Sequence, residues 1–286
     1  MKNVFVKFFN LSVLCLGLWT MGSQMSGCLA AEDVFVPNFF DPSYRLAKPE
    51  MASIKLIRFL TEDDFPPFHF TTADGTLTGF DVEIARAICE ELKLPCTIQP
   101  RRFESLLEAL VAGEGDALIA GIAKTAQTRA KIEFSAPYYR TPARFVMATT
   151  TALADATPEL LAGKMIGAEK NSAHEAYLKA FFPRSMLKSF DGRDAVRAAL
   201  KRGEIEVLFG DGVSLSFWLN GAEAGQCCRF AGGPFTESAY FGEGVSIGLR
   251  REDVALRGAI NYALQKITEK GLYTDLYLKY FPVGFY

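Results

Sequence analysis

The chain has 286 residues, of which 49% are hydrophobic and 22% charged, and its formal net charge is −2 at pH 7. This is ordinary globular composition, sufficient for one large or two medium cores, and it excludes a disordered or fibrous protein. A mildly acidic chain without a basic run is also a poor candidate for binding nucleic acid.

The N-terminal residues are typical of a secretory signal peptide. Two lysines accompany an apolar stretch that begins at Leu11, and small residues lead up to Ala31. The stretch is too short to cross a bilayer comfortably, and the small residues suit cleavage. We therefore predict a signal over 1–31 and a mature protein outside the cytoplasm. Lipid attachment at Cys28, in the sequence MSGC, is the alternative.

An N-terminal extension over 32–54 precedes the first predicted strand. Its aromatic residues need a surface to pack on, which is either the protein's own first lobe or a partner. These residues are Phe35, Phe39, Phe40 and Tyr44.

From residue 55 onward, short apolar strands alternate with helices in two successive series. The first runs from IKLIRFL to DALIAG and ARFVMAT, and the second from KMIGAE to EVLFGD. This alternation predicts an α/β fold in which each of two lobes has a mostly parallel sheet flanked by helices. A turn at Asp74 and Gly75 predicts one hairpin within the first series.

The two series also resemble each other, which indicates two lobes of one architecture. Aligning Gly113 with Gly203 sets LLEALVAGEGDALIAG against VRAALKRGEIEVLFGD. The helical pattern after residue 250 needs a core to cover, so we predict that the chain returns to the first lobe. The predicted lobes are 55–147 plus 245–286 and 148–244, joined by a double-crossover hinge around a cleft.

Four cysteines follow the predicted signal. Cys89 lies near the end of the helix VEIARAICEEL, which Asp81 is predicted to cap, and Cys96 opens the next strand. A Cys89–Cys96 disulfide would fasten that helix to that strand, and two buried thiols are the alternative. For the adjacent Cys227 and Cys228, a vicinal disulfide, free thiols and separate partners all remain open.

The candidate binding residues are those at the carboxyl ends of the strands, where ligands bind in open α/β sheets. In the first lobe these are Glu62, Phe65 and the segment containing Gly121, Ala123 and Thr125. In the second lobe they are Glu169, Ser172, Ala173, His174 and Asp211.

The charges among these residues suggest an α-amino acid ligand. Thr125 is a good helix cap, and Arg129 in the first turn could grip a carboxylate with two hydrogen bonds. Asp211 from the other lobe could then meet an ammonium group. The simpler interpretations are a solvated Arg129, an Asp211 that only caps a helix, a structural His69 and a solvent-facing His174. No metal-spaced cluster and no cofactor motif is present in the sequence.

Several motifs together resemble the family 3 extracellular solute-binding proteins, the periplasmic receptors of polar amino-acid ABC importers. They are IRFLTEDDFPPFHF, DGTLTGFDVEIARAI, GEGDALIAGIAKT, RAKIEFSAPYY, GEIEVLFGD and KGLYTDLYLKYF, and the likeness covers nearly all of 55–282. The resemblance implies the type II periplasmic binding protein fold and a monomer that carries a small polar ligand to a membrane permease.

The resemblance also implies roles for particular residues. By this resemblance, Arg129 or a neighbouring residue binds the carboxylate of the ligand and Asp211 binds its ammonium group. Glu62 and Phe65 form the pocket for the ligand side chain. The second-lobe loop is carried by Ser172, Ala173 and His174. The Cys89–Cys96 spacing is similar to a disulfide in some histidine and basic amino-acid receptors of the family.

This sequence departs from the family pattern at the carboxylate grip. The family arginine stands three residues after the threonine, where this chain has Thr128, and Arg129 follows. One residue rotates a helical side chain by about 100° and could aim Arg129 away from the cleft. Ala120, Gly121 and Ala123 also replace the serines common in amino-acid receptors.

Three alternative functions remain, one of which is a partner-binding or sensory protein that keeps the fold without a tight small ligand. The QCCRFAGGPF and FPVGFY segments, with VFVPNFFDPSYRLAKPE before the first lobe, resemble a subgroup associated with periplasmic quinoprotein alcohol oxidation, which implies an accessory role beside a dehydrogenase. A secreted enzyme similar to the prephenate or arogenate dehydratases would use Glu62, Glu169 and His174 as acid and base groups.

Overall fold

The computed structural model describes residues 34–153 and 155–286. The predicted signal over 1–31 and the alternative lipid site at Cys28 lie outside these residues. No helix in the described part of the chain is long and apolar enough to cross a membrane.

The first part of the chain forms strands and helices in the predicted alternation. They are β1 (Ile57–Thr61), β2 (Asp64–Phe65), β3 (His69–Thr71), β4 (Leu77–Thr78), α1 (Phe80–Leu92), β5 (Cys96–Pro100), α2 (Phe103–Val111), β6 (Ala117–Leu118), α3 (Ala126–Lys131) and β7 (Glu133–Phe134).

The remainder builds a second α/β unit and then returns to the first. The elements are β8 (Ala143–Ala148), β9 (Met165–Glu169), α4 (Ala173–Phe181), β10 (Met186–Phe190), α5 (Arg193–Lys201), β11 (Val207–Asp211), α6 (Gly212–Asn220), β12 (Cys228–Phe235), α7 (Ser238–Phe241), β13 (Gly248–Leu249), α8 (Val254–Glu269) and α9 (Leu272–Tyr280).

Each lobe has a five-stranded sheet. The first sheet has the order β5-β1-β6-β13-β7, and the second has the order β10-β9-β11-β8-β12. In each, the three strands on one side are parallel and the two on the other side join antiparallel. The predicted hairpin is present as the antiparallel pair β3–β4, in which Phe70 lies opposite Thr78.

Sheet membership differs from the predicted lobe boundary in one place. The prediction placed ARFVMAT at the end of the first lobe, but β8 pairs with β11 and β12 of the second sheet. The chain therefore crosses before Ala143. The two crossing segments, 135–142 and 242–247, pair with each other where Val245 N–H donates to Tyr139 O at 2.8 Å.

The start of α1 also differs from the prediction. The N-cap is Gly79, not Asp81, and its φ of 126° brings a Cβ at that position within 2.3 Å of the Phe68 carbonyl oxygen, so only glycine fits. Asp81 lies in the first turn and is fully buried. Its side chain is therefore available for contacts other than a helix cap.

Both cysteine pairs form disulfides. Cys89–Cys96 joins the end of α1 to β5, as predicted, and Cys227–Cys228 is a vicinal disulfide at the start of β12. All four cysteines among the described residues are therefore oxidised.

The extension packs on its own lobe. Val34, Val36, Phe39, Phe40 and Ile54 contact the first-lobe core. The buried side-chain amide of Gln265 in α8 donates to Tyr44 O at 2.6 Å and accepts from Leu46 N–H at 2.8 Å.

Candidate functional site

A cleft of about 860 Å³ lies between the lobes, within the size range of small-molecule sites. The first lobe contributes the segment from Phe65 to Phe68, with Tyr139 and Thr141 from the crossing. The second lobe contributes Glu169, His174 and Asp211 at the ends of its strands, together with residues of α5 and α6. Four of the predicted binding residues therefore meet here: Phe65, Glu169, His174 and Asp211.

The first-lobe wall of the cleft is aromatic. Phe65 is half exposed, and its ring centroid lies 5.6 Å from that of the buried Phe68. Phe68 in turn stacks on Tyr139 with centroids 4.9 Å apart. A planar or cationic ligand group could stack on the free face of Phe65.

Glu62 stands beside this wall without lining the cavity. Its side chain is 21% exposed, and Oε2 lies 3.7 Å from Nε2 of His69. Partial burial and the nearby charge of Asp64 raise the pKa of Glu62, while His69 acts in the opposite direction.

The second-lobe loop is organised by a local helix cap. Ser172 Oγ accepts from the Glu175 N–H at 3.1 Å, and Glu175 Oε2 accepts from the Asn171 N–H at 2.9 Å. Hydrogen bonds from Ser189 and Asn171, with the ion pair to Lys179, lower the pKa of Glu175 to about 2. Ser172 and Ala173 themselves do not line the cavity, but the cap fixes the first turn of α4 in which His174 stands.

His174 points into the cleft and not to solvent. Its ring centroid lies 5.7 Å from that of Phe209 and 5.4 Å from that of Phe241. Burial lowers the pKa of His174, although Asp211 and Glu169 favour its charged form. His174 thus places an imidazole, a group that can hydrogen-bond to a ligand, in the wall of the cleft.

Asp211 has both of the roles considered for it. It is the N-cap of α6, where Oδ1 accepts from the Ser214 N–H at 2.8 Å, and it also lines the cleft. A second carboxylate oxygen remains for a ligand donor.

The residue predicted to bind the ligand carboxylate, Arg129, does not line the cleft in this structure. Thr125 and Thr128 form a capping box, in which the Thr128 hydroxyl donates to Ala123 O at 2.6 Å. Arg129 is exposed and pairs with Glu243 of the second crossing segment at 2.7 Å. Neither Arg129 nor Gly121 nor Ala123 lines the cavity. Their binding roles stay predictions.

The sequence analysis missed an aromatic and basic side of the cleft. Arg193, Arg197, Phe217 and Trp218 all line it. Arg197 is held by Ser214 Oγ at 2.7 Å and Asp194 at 3.2 Å, and its guanidinium lies 5.7 Å from the centroid of the Trp218 ring. Arg193 follows the carboxyl end of β10, so the strand-end rule applied to that strand would have indicated it.

Among residues 34–153 and 155–286, no cluster of three or more His, Cys, Asp or Glu side chains is arranged to hold a metal ion. The cleft presents carboxylates, two arginines and aromatic rings, which together can bind both the cationic groups and the carboxylate of an amino acid.

Comparison with known proteins identifies the family that this chain matches. Residues 57–283 match the bacterial extracellular solute-binding proteins, family 3. The chain is 32% identical to the L-arginine-binding protein of Pseudomonas aeruginosa over 84% of this chain and 93% of that protein. It is 28% identical to the lysine/arginine/ornithine-binding periplasmic protein of Escherichia coli, covering 80% and 89%.

A solved structure shares the fold. A periplasmic binding protein of Salmonella typhimurium, described as having high arginine specificity, is similar with a TM-score of 0.52 and 28% identity over 79% of this chain and 99% of that one.

Proposed function

Because the chain belongs to the bacterial extracellular solute-binding proteins of family 3, we propose that it captures a cationic amino acid of the arginine class between its lobes. It acts in the periplasm as a monomer and delivers the ligand to the permease of an ABC importer. The names of its relatives, which bind arginine, lysine or ornithine, support this ligand class.

One observation carries the proposal. Phe65 from the first lobe faces Glu169, His174 and Asp211 from the second across a single cleft. A guanidinium or ammonium group would bind the carboxylates and stack on the ring, and each contact favours a cation over a neutral group. Closure of the lobes would complete the site around the ligand.

The alternatives have no comparable support. The family and the named relatives are binding proteins and not enzymes, so a dehydratase-like reaction at Glu62, Glu169 and His174 is not proposed. An accessory role beside a quinoprotein dehydrogenase is likewise unsupported.

Calorimetric titration of the ligand-stripped protein with L-arginine, L-lysine, L-glutamine and L-glutamate tests the proposal. We expect micromolar or tighter binding of the two cationic amino acids and none of L-glutamate. Ligand at 100 times Kd should stabilise the fold by about 2.7 kcal/mol.

Matched variants test whether L-arginine binds in the cleft. Glu169→Gln should weaken L-arginine binding by tenfold or more. Glu159→Gln is the control, because Glu159 is exposed in the same lobe, is paired with Arg184 and does not line the cleft. Failure of all four amino acids to bind, or equal loss in both variants, would refute the proposed function.

A further inference from the structure

The first-lobe wall of the cleft carries no positive charge to meet the carboxylate of an amino acid. The described residues that line the cavity from the first lobe and the crossing segments are aromatic, proline, threonine and valine side chains, and none of them is basic. Arg129 lies outside the cavity and is paired with Glu243. Because an unpaired carboxylate is costly to enclose between the lobes, its cation must come from the second lobe.

The second lobe lines the cleft with two arginines, of which Arg197 is already occupied by the protein itself. Its side chain is 14% exposed, and Nη2 donates to the carbonyl and the hydroxyl of Ser214 at 3.0 and 2.7 Å. Nη1 donates to Asp194 at 3.2 Å, and the guanidinium lies over the ring of Trp218. Arg197 thus fastens α5 to α6 and has few donors left for a ligand.

Arg193 lines the same cavity without such contacts. Its side chain is exposed, and it is the first residue of α5. The acids beside it in the chain have other partners, since Asp191 pairs with Lys170 at 3.7 Å and Asp194 pairs with Arg197 at 3.2 Å. Within residues 34–153 and 155–286, no carboxylate forms an ion pair with Arg193. Its guanidinium is therefore available to a ligand.

The strand order places Arg193 near the acidic part of the cleft. The parallel strands β10, β9 and β11 are neighbours, so their carboxyl ends share one edge of the sheet. Phe190 at the end of β10 lies opposite Glu169 at the end of β9, and Arg193 follows three residues later. Asp211 ends β11, two strands and about 10 Å from β10. A long arginine side chain and an amino-acid head group can bridge that gap together.

The charges around Arg193 also favour an anion. Burial lowers the pKa of Arg197, Asp194 acts in the opposite direction, and the charge of Arg193 lowers it further. The two guanidinium groups are thus close enough to repel each other, and a carboxylate beside them would relieve that repulsion. The planar fork of N–H donors on Arg193 matches the two oxygens of a carboxylate.

We propose that Arg193, and not Arg129, is the residue that binds the α-carboxylate of the ligand. This inference rests on the proposed function. With the ammonium group at Asp211, both charged groups of the amino-acid head are then held by the second lobe, while Phe65 of the first lobe stacks on the ligand. A ligand that lacks the carboxylate loses the contact with Arg193, so this residue selects amino acids over their uncharged derivatives.

Calorimetric titration with L-arginine and L-argininamide tests the assignment. The two ligands differ only in the carboxylate, and at about pH 6 the α-amine of each is protonated. We expect the wild-type protein to bind L-arginine at least tenfold more tightly than L-argininamide. Arg193→Gln should weaken L-arginine binding by tenfold or more and change L-argininamide binding by less than threefold, so that the preference disappears. Because Arg193 is exposed and unpaired among the described residues, we expect this variant to fold.

Two other arginine variants serve as controls. Arg184 is an exposed second-lobe arginine that is paired with Glu159 and does not line the cavity, so Arg184→Gln should bind both ligands as the wild type does. Arg129→Gln should keep the preference for L-arginine.

The outcomes separate this assignment from the proposed function. Equal weakening of both ligands in Arg193→Gln, or a preference that persists in Arg193→Gln and is lost in Arg129→Gln, would overturn the role of Arg193 while the proposed function stands. Failure of L-arginine to bind the wild-type protein would refute the proposed function and this assignment with it.

Discussion

Asp81 and Asp211 lie at the starts of helices on opposite sides of the cleft, yet the two lobes use them differently. Asp81 is fully buried and joins β3, α1 and the crossing segment through His69 and Tyr138. Asp211 is half-buried and holds the backbone of its own helix three residues away. The first-lobe wall depends on contacts between distant segments, whereas the second-lobe wall depends on local caps.

The difference between the two lobes should be largest in the free energy of unfolding of variants at these two aspartates. Asp81→Ala leaves a buried imidazole and a buried phenol without their acceptor, so we expect a loss of about 3–5 kcal/mol. Asp81→Asn should cost less, since the amide oxygen still accepts from Tyr138. Asp211→Ala removes one helix cap and should cost about 1 kcal/mol. Urea unfolding of the three variants measures their losses of unfolding free energy. Equal losses for Asp81→Ala and Asp211→Ala would contradict the comparison.

Glu175, which belongs to the local cap of the second lobe, should make a pH-dependent contribution to the free energy of unfolding. The pKa of Glu175 is lowered to about 2 from 4.5, so its ionised form stabilises the fold at neutral pH. That contribution is present above about pH 4.5 and is lost as the pH falls towards 2. Glu175→Gln should therefore be less stable than the wild type at pH 7, and the difference should be smaller at pH 3.

Urea midpoints at both pH values test this. The control is Glu159→Gln in the same lobe, which should differ little from the wild type at either pH, since its ion pair is exposed. A constant difference between Glu175→Gln and the wild type at both pH values would show that the cap does not depend on charge.

The smallest effect is expected for Arg129. Its side chain is 47% exposed and its partner Glu243 is 63% exposed, so Arg129→Ala should change stability by no more than about 0.5 kcal/mol. We expect its affinity for L-arginine to stay within about twofold of the wild type. Glu243→Gln serves as the matched control. A tenfold loss of affinity in Arg129→Ala alone would mean that Arg129 leaves Glu243 and grips the ligand when the lobes close.

Local patterns in the sequence predicted the parts of the structure that local forces determine. The alternation of strands and helices predicted both lobes, and the placement of Cys89 near the end of a helix and of Cys96 at the start of the next strand predicted their disulfide. The rule that ligands bind at the carboxyl ends of strands selected Phe65, Glu169, His174 and Asp211, and all four line one cleft. In each case the deciding contacts lie between residues close in the chain or follow from the topology of parallel strands.

The remaining features depend on segments far apart in the chain. An apolar strand such as Ala143–Ala148 satisfies either sheet, so its pattern could not reveal that it pairs in the second. His69 and Asp81 are twelve residues apart, but Tyr138, which donates to Asp81, is 57 residues away from it, so no local pattern could reveal that contact. Glu243, which holds Arg129, is 114 residues away from it.

The disulfides make this protein convenient for site-specific labelling. Because Cys89, Cys96, Cys227 and Cys228 are all bonded, a cysteine introduced elsewhere in the described residues would be the only free thiol there. One fluorophore on Leu160 in the second lobe and another on Glu83 in the first would report the distance between the lobes. Such a pair would follow opening and closing in single molecules while the native cross-links stay intact.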